Sequence, residues 1–221
     1  MITTCRDNAP CACPLFIVNK SYNTLMKKTQ TYYNQNHQVL IERYDAVTLT
    51  PLHNLLKKHI KSNNKILEIG FGSGRDMRYM HQKLKAEWWG VDSTQGFVDA
   101  LAKDNAFDGR LFCARLPILG LDFGFKFDLI VAIAVIMHLS LEELERWVSD
   151  IPNYLSKDGK VILSYSPKPR ESDERFFEDL RGGVVEQIFM RGGFRLVEEC
   201  ESFDGLGREV GWRSEVYGYK S

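Results

Sequence analysis

The sequence predicts an α/β fold in which a mostly parallel sheet carries helices on both faces. The run Lys65–Ile69 is short, apolar and β-branched, which is typical of a buried strand. A glycine-rich turn follows, and apolar residues then recur at the spacing of a helix face. A second run, Phe127–Ile133, is almost continuously apolar and fits a strand buried on both faces. Strand and helix patterns alternate along the chain, as in an α/β sheet.

The composition is that of one globular domain. The chain has 221 residues, 44% of them hydrophobic, which is enough for a sizeable core. Basic and acidic residues both number 29, so the net charge is zero, which disfavours binding to nucleic acid by counterion release. No apolar stretch is long enough to span a bilayer, so we expect no membrane partner. We expect a single domain over 1–221, with a loose tail (1–20), a helical lid (21–61) and a core (62–221).

The chain has five cysteines, namely Cys5, Cys11, Cys13, Cys113 and Cys200. An odd number, with two of them in predicted strands, indicates reduced thiols and a cytoplasmic protein. The N-terminus also lacks the basic start and apolar run of a signal peptide. The three N-terminal cysteines are close in sequence, but no fourth ligand lies at metal-site spacing and prolines flank them. We therefore expect no metal.

Two features of the first strand–turn–helix unit predict a nucleotide-like ligand. The glycines let a ligand approach the backbone closely, and the following helix start leaves free N–H groups. Asp92 ends the second predicted strand, 92 − 70 = 22 positions after Gly70. A carboxylate at about this spacing accepts two hydrogen bonds from a ribose diol. The unit therefore predicts an adenosine-type cofactor lying across two parallel strands.

The turn has the pattern Gly-x-Gly-x-Gly, with Glu68 two places before Gly70. This arrangement resembles the first motif of class I S-adenosylmethionine-dependent methyltransferases, and Asp92 resembles the ribose-binding acid of that family. The resemblance implies a Rossmann-like, seven-stranded, mostly parallel sheet with an N-terminal helical lid, and S-adenosylmethionine as cofactor. The residues alone leave two alternatives open, a nicotinamide-dependent oxidoreductase and an inactive cofactor-binding protein.

The resemblance also implies which residues contact the cofactor. At the end of the third strand the family carries an acid or polar residue beside the adenine, whereas this chain has Ala114, Arg115 and Leu116. Adenine selection is therefore expected from backbone groups and apolar packing. The full set of expected cofactor-binding residues is Glu68, Gly70, Gly72, Gly74, Arg75, Asp76, Asp92, Ser93, Ala114, Arg115, Leu116, Ala134 and Arg43.

Helical patterns flank the predicted site. Residues 23–61 are predicted to be helical with an interruption before Pro51. Tyr33 and Tyr44 in this segment resemble lid residues that fold over the cofactor and touch the substrate; the alternative is that they only pack the first helices against the sheet. Further along, we expect a turn over 155–160 and one or two helices over 178–190, around Gly182 and Gly183.

His138 is the candidate catalytic residue. It precedes Ser140, which with Glu143 forms a predicted capping box. His138 is either a base near the methyl group or a loop anchor bonded to backbone. Met137 and Tyr165 are candidate substrate contacts at the same edge of the sheet. The resemblance implies methyl transfer to an O, N or S atom of a small-molecule acceptor, with tRNA or protein methylation as the alternative.

Overall fold

A twisted sheet forms the centre of the protein in a computed structural model that describes residues 20–47, 50–117, 119–170, 173–203 and 210–219, with side chains from residue 27. The strands are β1 (Lys65–Ile69), β2 (Glu87–Asp92), β3 (Leu111–Cys113), β4 (Phe127–Ile133), β5 (Leu155–Tyr165), β6 (Phe194–Phe203) and β7 (Gly211–Tyr219). Within these ranges the seven strands run in the order β3-β2-β1-β4-β5-β7-β6. Strands β1 to β5 pair in parallel, and β7 pairs antiparallel with β5 and β6.

Helices cover both faces of this sheet. They are α1 (Lys20–Asp45), α2 (Thr50–His59), α3 (Arg75–Leu84), α4 (Gln95–Leu101), α5 (Leu141–Asp150) and α6 (Val184–Arg191). Side chains of α2, α3 and α4 join one apolar core, and those of α5 and α6 join the other. Neighbouring residues of β1 point to opposite faces, so Ile66 lies in the first core and Leu67 in the second. The predicted fold class, including the N-terminal helix, is confirmed.

Local chemistry explains several helix boundaries. The predicted interruption before Pro51 is confirmed, because α1 ends at Asp45 and α2 begins at Thr50. The predicted capping box is also present, with the Ser140 hydroxyl accepting from the Glu143 amide at 3.1 Å.

No helix within the described ranges has the length and apolarity needed to cross a membrane.

Two predicted elements were wrong. Of the one or two helices expected over 178–190, only the part after the glycines forms, as α6, and 178–181 are not helical. Gly182 and Gly183 have φ of +73° and +74°, which a right-handed helix does not accept. The turn expected over 155–160 belongs to β5. Leu155 pairs with Phe127, the register then shifts, and regular pairing with β4 begins at Lys160. The predicted tail, with Cys5, Cys11 and Cys13, lies outside the described residues.

Candidate active site

A cavity opens at the carboxyl ends of β1, β2 and β4, and α1 closes one of its sides. Ligands of open α/β sheets bind at this edge. The predicted site residues on its wall are Tyr33, Tyr44, Gly70, Gly72, Asp92, Ser93, Ala114, Arg115, Leu116, Ala134 and His138. The structure thus brings together residues from separate parts of the sequence around one cavity.

The turn after β1 depends on its glycines. Gly70 and Gly72 have φ of +69° and +54°, values that disfavour residues with a side chain. A Cβ atom on Gly70 would lie 2.3 Å from Cγ2 of Val135, and one on Gly72 would lie 3.4 Å from the ring of Tyr44. The non-glycine Ala134 also has a positive φ, +59°, at the end of β4. Both strand ends therefore approach each other closely at the cavity wall.

Asp92 lies almost buried at the end of β2 and fixes the backbone around it. Its Oδ2 accepts a hydrogen bond from the Gly72 amide at 2.9 Å, and its Oδ1 accepts one from the Thr94 amide at 2.8 Å. The Thr94 hydroxyl and the Ser93 amide also hydrogen-bond this carboxylate. Burial raises the pKa of Asp92 to about 6, although these hydrogen bonds partly offset this effect. A ligand that donates hydrogen bonds to the carboxylate favours its ionised form further.

A buried charged cluster supports the glycine turn from behind. Arg75 donates to the carbonyl oxygens of Tyr44 at 2.8 Å and Val47 at 3.3 Å, and to both carboxylate oxygens of Asp76. Asp76 also accepts from Nε2 of His53 at 2.6 Å. The cluster therefore ties the end of α1 and helix α2 to the start of α3.

Glu68 is buried beside this cluster, and its Oε2 has no hydrogen-bond partner. Burial, reinforced by the charge of Asp76, raises the pKa of Glu68 well above its ordinary value. Burial therefore favours the protonated form of this side chain.

Helix α1 supplies the polar and aromatic side of the cavity. The Gln30 amide donates to the Ser93 carbonyl at 3.0 Å, which connects α1 to the residue after β2. Tyr33 and Tyr44 both line the cavity, and Phe97 of α4 contacts both of their rings. Burial raises the pKa of both tyrosines, so both hydroxyls stay protonated at neutral pH.

His138 uses its two ring nitrogens for different partners. Nδ1 lies 2.6 Å from the carbonyl oxygen of Phe176, so it carries the proton and donates it. Nε2 is then the acceptor, and it lies 2.9 Å from the hydroxyl of Tyr33. Burial lowers the pKa of His138 to about 4, so the ring is neutral at pH 7. Nδ1 therefore anchors the loop to the backbone, and Nε2 is the nitrogen that is free of a proton and could act as a base.

Other predicted residues lie away from the cavity wall. Glu68, Arg75 and Asp76 belong to the cluster behind the turn. Gly74 faces Leu101, where a Cβ would come within 2.5 Å of its side chain. Arg43 is exposed on the outside of α1. The structure does not group these residues with the cavity.

Two predicted substrate contacts are instead core residues. Met137 is buried in the core beside α5. Tyr165 is 1% exposed on the same sheet face as Leu163, and its hydroxyl hydrogen-bonds Glu215 of β7. The cause is the alternation of side chains along β5, which directs Tyr165 to the face covered by α5 and α6.

Several cavity residues were missed by the sequence analysis. Thr29, Gln30 and Thr94 line the cavity without belonging to a recognisable motif. Phe97 lies close to Asp92 in the sequence, but its position on the apolar face of α4 indicated a core role. Nothing in the sequence marked the segment around Arg175 and Phe176, because its partners Tyr33 and Thr29 are more than a hundred positions away.

The chain was compared with known protein families. Residues 66–159 match the family model described as a methyltransferase domain. These residues run from β1 through β5 and so contain the glycine turn, Asp92 and His138. This region therefore matches a methyltransferase domain, and the fold around it is that of class I S-adenosylmethionine-dependent methyltransferases.

Similar proteins agree with this assignment. Phosphoethanolamine N-methyltransferase of Plasmodium falciparum (isolate 3D7) is 27% identical over 122 residues, which are 54% of this chain and 46% of that protein. The matched stretch thus spans less than half the length of the Plasmodium falciparum protein.

Solved structures show the same fold. The Burkholderia thailandensis 1,6-didemethyltoxoflavin-N1-methyltransferase, with its substrate and S-adenosylhomocysteine bound, has a TM-score of 0.71 and 15% identity over 97% of this chain and 94% of that one. Magnesium protoporphyrin IX methyltransferase from Synechocystis PCC 6803, with S-adenosylhomocysteine bound, has a TM-score of 0.68 and 16% identity. The match covers 88% of this chain and 99% of that one.

The residues present fit the methyltransferase cofactor. The buried carboxylate of Asp92 lines the cavity next to the glycine turn, and a carboxylate is the acceptor that a ribose diol requires. The absence of a side chain on Gly72 keeps open the space beside the Tyr44 ring, which a Cβ would narrow. In the described ranges no group of His, Cys, Asp and Glu residues suits a metal ion.

Proposed function

We propose that this chain transfers a methyl group from S-adenosylmethionine to an O, N or S atom of a small-molecule acceptor. The observation that supports this proposal is the arrangement of one cavity. The glycine turn and Asp92 lie on its wall together with the hydrogen-bonded pair Tyr33 and His138. The proposed cofactor site and the Tyr33–His138 pair, which could transfer a proton, thus share one cavity.

The cofactor is proposed to bind along the ends of β1 and β2. Asp92 would accept from the ribose hydroxyls, and Gly70 and Gly72 would leave room for the methionine portion. Leu116 and Ala114 would pack against the adenine, because no acid stands at this position. When bound, the cofactor supplies a methyl group already activated on a sulfonium, so the protein's own task is positioning and proton handling.

The pair of Tyr33 and His138 is proposed to orient the acceptor and take up its proton. Nε2 of His138 is unprotonated, because Nδ1 donates to the Phe176 carbonyl. The Tyr33 hydroxyl bridges this nitrogen and the cavity, which both residues line. A proton leaving the acceptor can therefore move to Tyr33 as the tyrosine passes its own proton to Nε2.

The cavity wall favours a compact, partly apolar acceptor. Its acceptor side carries the rings of Tyr33, Tyr44 and Phe97 with the aliphatic side chains of Val135 and Leu139. A pocket of this kind buries apolar surface and uses a few polar groups for orientation. The zero net charge also favours a small molecule over a polyanion. The reaction is assigned to the cytoplasm, where thiols such as Cys113 stay reduced.

Two measurements test this function. Mass spectrometry and calorimetry of the purified protein with S-adenosylhomocysteine test the cofactor, and binding of a nicotinamide nucleotide instead would contradict it. Transfer of isotope-labelled methyl groups to a panel of amines, phenols, carboxylates and thiols then tests the acceptor. Salt-sensitive labelling of bulk tRNA or of protein, with no labelled small molecule, would overturn the acceptor class but not the cofactor.

A further inference from the structure

The segment 173–177, here called the strap, fastens α1 to the loop that carries His138. The Phe176 amide donates to the Thr29 hydroxyl of α1 at 2.7 Å. The Phe176 carbonyl accepts from Nδ1 of His138 at 2.6 Å. Just beyond the strap, the Glu178 amide donates to the Met137 carbonyl at 2.8 Å. The strap therefore holds the two elements that carry Tyr33 and His138 against each other.

Arg175 is the charged residue at the centre of the strap. Its guanidinium makes two hydrogen bonds to Asp173, at 2.8 and 2.6 Å, and a third to the hydroxyl of Tyr33 at 3.1 Å. The side chain is 11% exposed, and it lies over the rings of Tyr32 and Phe177 at 4.9 and 5.2 Å. Its position is therefore fixed by a bidentate ion pair and by aromatic rings.

The Tyr33 hydroxyl has three hydrogen-bond partners, Arg175, His138 and Tyr44, and they favour one arrangement of protons, in which Tyr44 donates to Tyr33. A guanidinium only donates, so the Tyr33 oxygen must accept from Arg175. The single hydroxyl proton of Tyr33 is then left for Nε2 of His138. Nδ1 of the same ring must donate, since it faces a carbonyl oxygen. The chain of hydrogen bonds thus runs in one direction, from Arg175 through Tyr33 and His138 to Phe176.

We infer that Arg175 is a positioning residue that directs the Tyr33 proton toward Nε2 of His138, so that the Tyr33 oxygen can take up a proton from the acceptor. This inference rests on the proposed function. As the acceptor atom gains its methyl group, its proton moves to the Tyr33 oxygen. The original Tyr33 proton moves to Nε2, and His138 becomes an imidazolium that keeps its bond to Phe176. The proton later leaves His138 for solvent, so the pair returns to its starting state.

The charge of Arg175 also acts on both members of the pair. It lowers the pKa of Tyr33 and the pKa of His138 relative to an otherwise identical site without it. Loss of the charge should therefore raise both values. The other groups that act on the pair are Asp173, Arg170, Asp92 and Tyr44.

The test compares Arg175→Met with Arg175→Lys, which keeps a charge and a donor. Arg181→Met is the matched control, since Arg181 is exposed and pairs with Asp179 outside the cavity. NMR titration of the cofactor-free proteins follows His138 and Tyr33, with His138→Asn and Tyr33→Phe assigning the signals. We expect Arg175→Met to raise both pKa values, Arg175→Lys to restore them in part, and the control to leave them unchanged.

Kinetics provide the second readout. We expect Arg175→Met to lower kcat at least about tenfold, with a smaller change in KM, and to shift the acid limb of the kcat profile upward. Unchanged titrations in folded Arg175→Met, or no rescue by Arg175→Lys, would overturn the inference. A strap that acts only as a fastener would change hydrogen exchange over 173–177 without moving either titration. The titrations need no turnover, so they separate failure of this inference from failure of the proposed function.

Discussion

The Tyr33 hydroxyl and Nε2 of His138 lie 2.9 Å apart, although 105 positions separate the two residues in the sequence. The fold makes this contact by laying α1 over the carboxyl edge of the sheet. Neither residue alone marks a proton-handling site, because each has an ordinary structural role available. The hydrogen bond between them, at the wall of a cofactor-sized cavity, is what distinguishes them.

The first prediction concerns the two roles of His138. His138→Asn keeps an amide donor near the Phe176 carbonyl but removes Nε2, whereas His138→Ala removes both. We expect both variants to lower turnover about 10²-fold or more, with cofactor affinity nearly unchanged. Only His138→Ala should also lower the melting temperature, because it removes the hydrogen bond to the Phe176 carbonyl.

Tyr33→Phe completes a double-mutant cycle with His138→Asn. Because the two side chains act as one unit, we expect the double variant to be little slower than either single variant. Steady-state kinetics on the same acceptor measure this coupling. Additive losses would show that the two residues act independently.

The second prediction concerns Asp92. Asp92→Ala should leave the protein folded but weaken S-adenosylhomocysteine binding by about 1.5–3 kcal/mol, since a charged group accepts the ribose bonds. Calorimetry measures the affinity, and Asp99→Ala on the outer part of α4 is a suitable control. Unchanged affinity in folded Asp92→Ala would remove the basis of the cofactor assignment.

The third prediction is a pH dependence of cofactor binding. Without ligand the pKa of Asp92 is about 6, because the side chain is buried. Hydroxyl donors favour the ionised form, so binding should lower this pKa and release a proton. Affinity should therefore fall about tenfold per pH unit below 6 and level off above it. Calorimetry at pH 6 in two buffers of different ionisation heat detects the proton, and Asp92→Asn should abolish its release.

The fourth prediction uses two glycines with similar backbones. Gly72 and Gly109 have φ of +54° and +68°, but a Cβ on Gly109 would meet nothing within 4 Å. Valine at either position should destabilise the fold by roughly 1–2 kcal/mol through backbone strain. Only Gly72→Val should also abolish cofactor binding, because its side chain enters the cavity beside Tyr44. Equal affinities in the two folded variants would contradict the proposed course of the cofactor.

The fifth prediction concerns the helical lid. The contact of Gln30 with the Ser93 carbonyl, at 3.0 Å, joins α1 to the predicted ribose site. Cofactor binding should therefore slow amide exchange across 27–44 in α1, while α5 on the opposite face stays unchanged. Hydrogen exchange with and without S-adenosylhomocysteine measures this. Equal protection in both states would mean that α1 is only a packing layer.

The sequence allowed prediction of those parts of the site that depend on local geometry. Gly70, Gly72 and Asp92 could be predicted because a strand, a glycine turn and a strand-end acid recur within about thirty residues. The strap could not, because Phe176 acts through its backbone and its partner Thr29 is 147 positions away. Tyr165 was assigned to the substrate from its place at a strand end, although side-chain alternation turns it toward Glu215.

The hydrogen bonds from Arg75 to the Tyr44 and Val47 carbonyls fix the C-terminal end of α1. They hold its last turn to the start of α3, so an opening of the helix that breaks the contacts of Thr29 and Gln30 would be a rotation about that end. From Lys20 to Tyr44 the helix rises about 36 Å at 1.5 Å per residue. A rotation of about 10° would thus carry its first turn through roughly 6 Å while Tyr44 stays beside the loop. A distance probe placed near Lys20 would report this movement with far greater amplitude than one placed at the cavity itself.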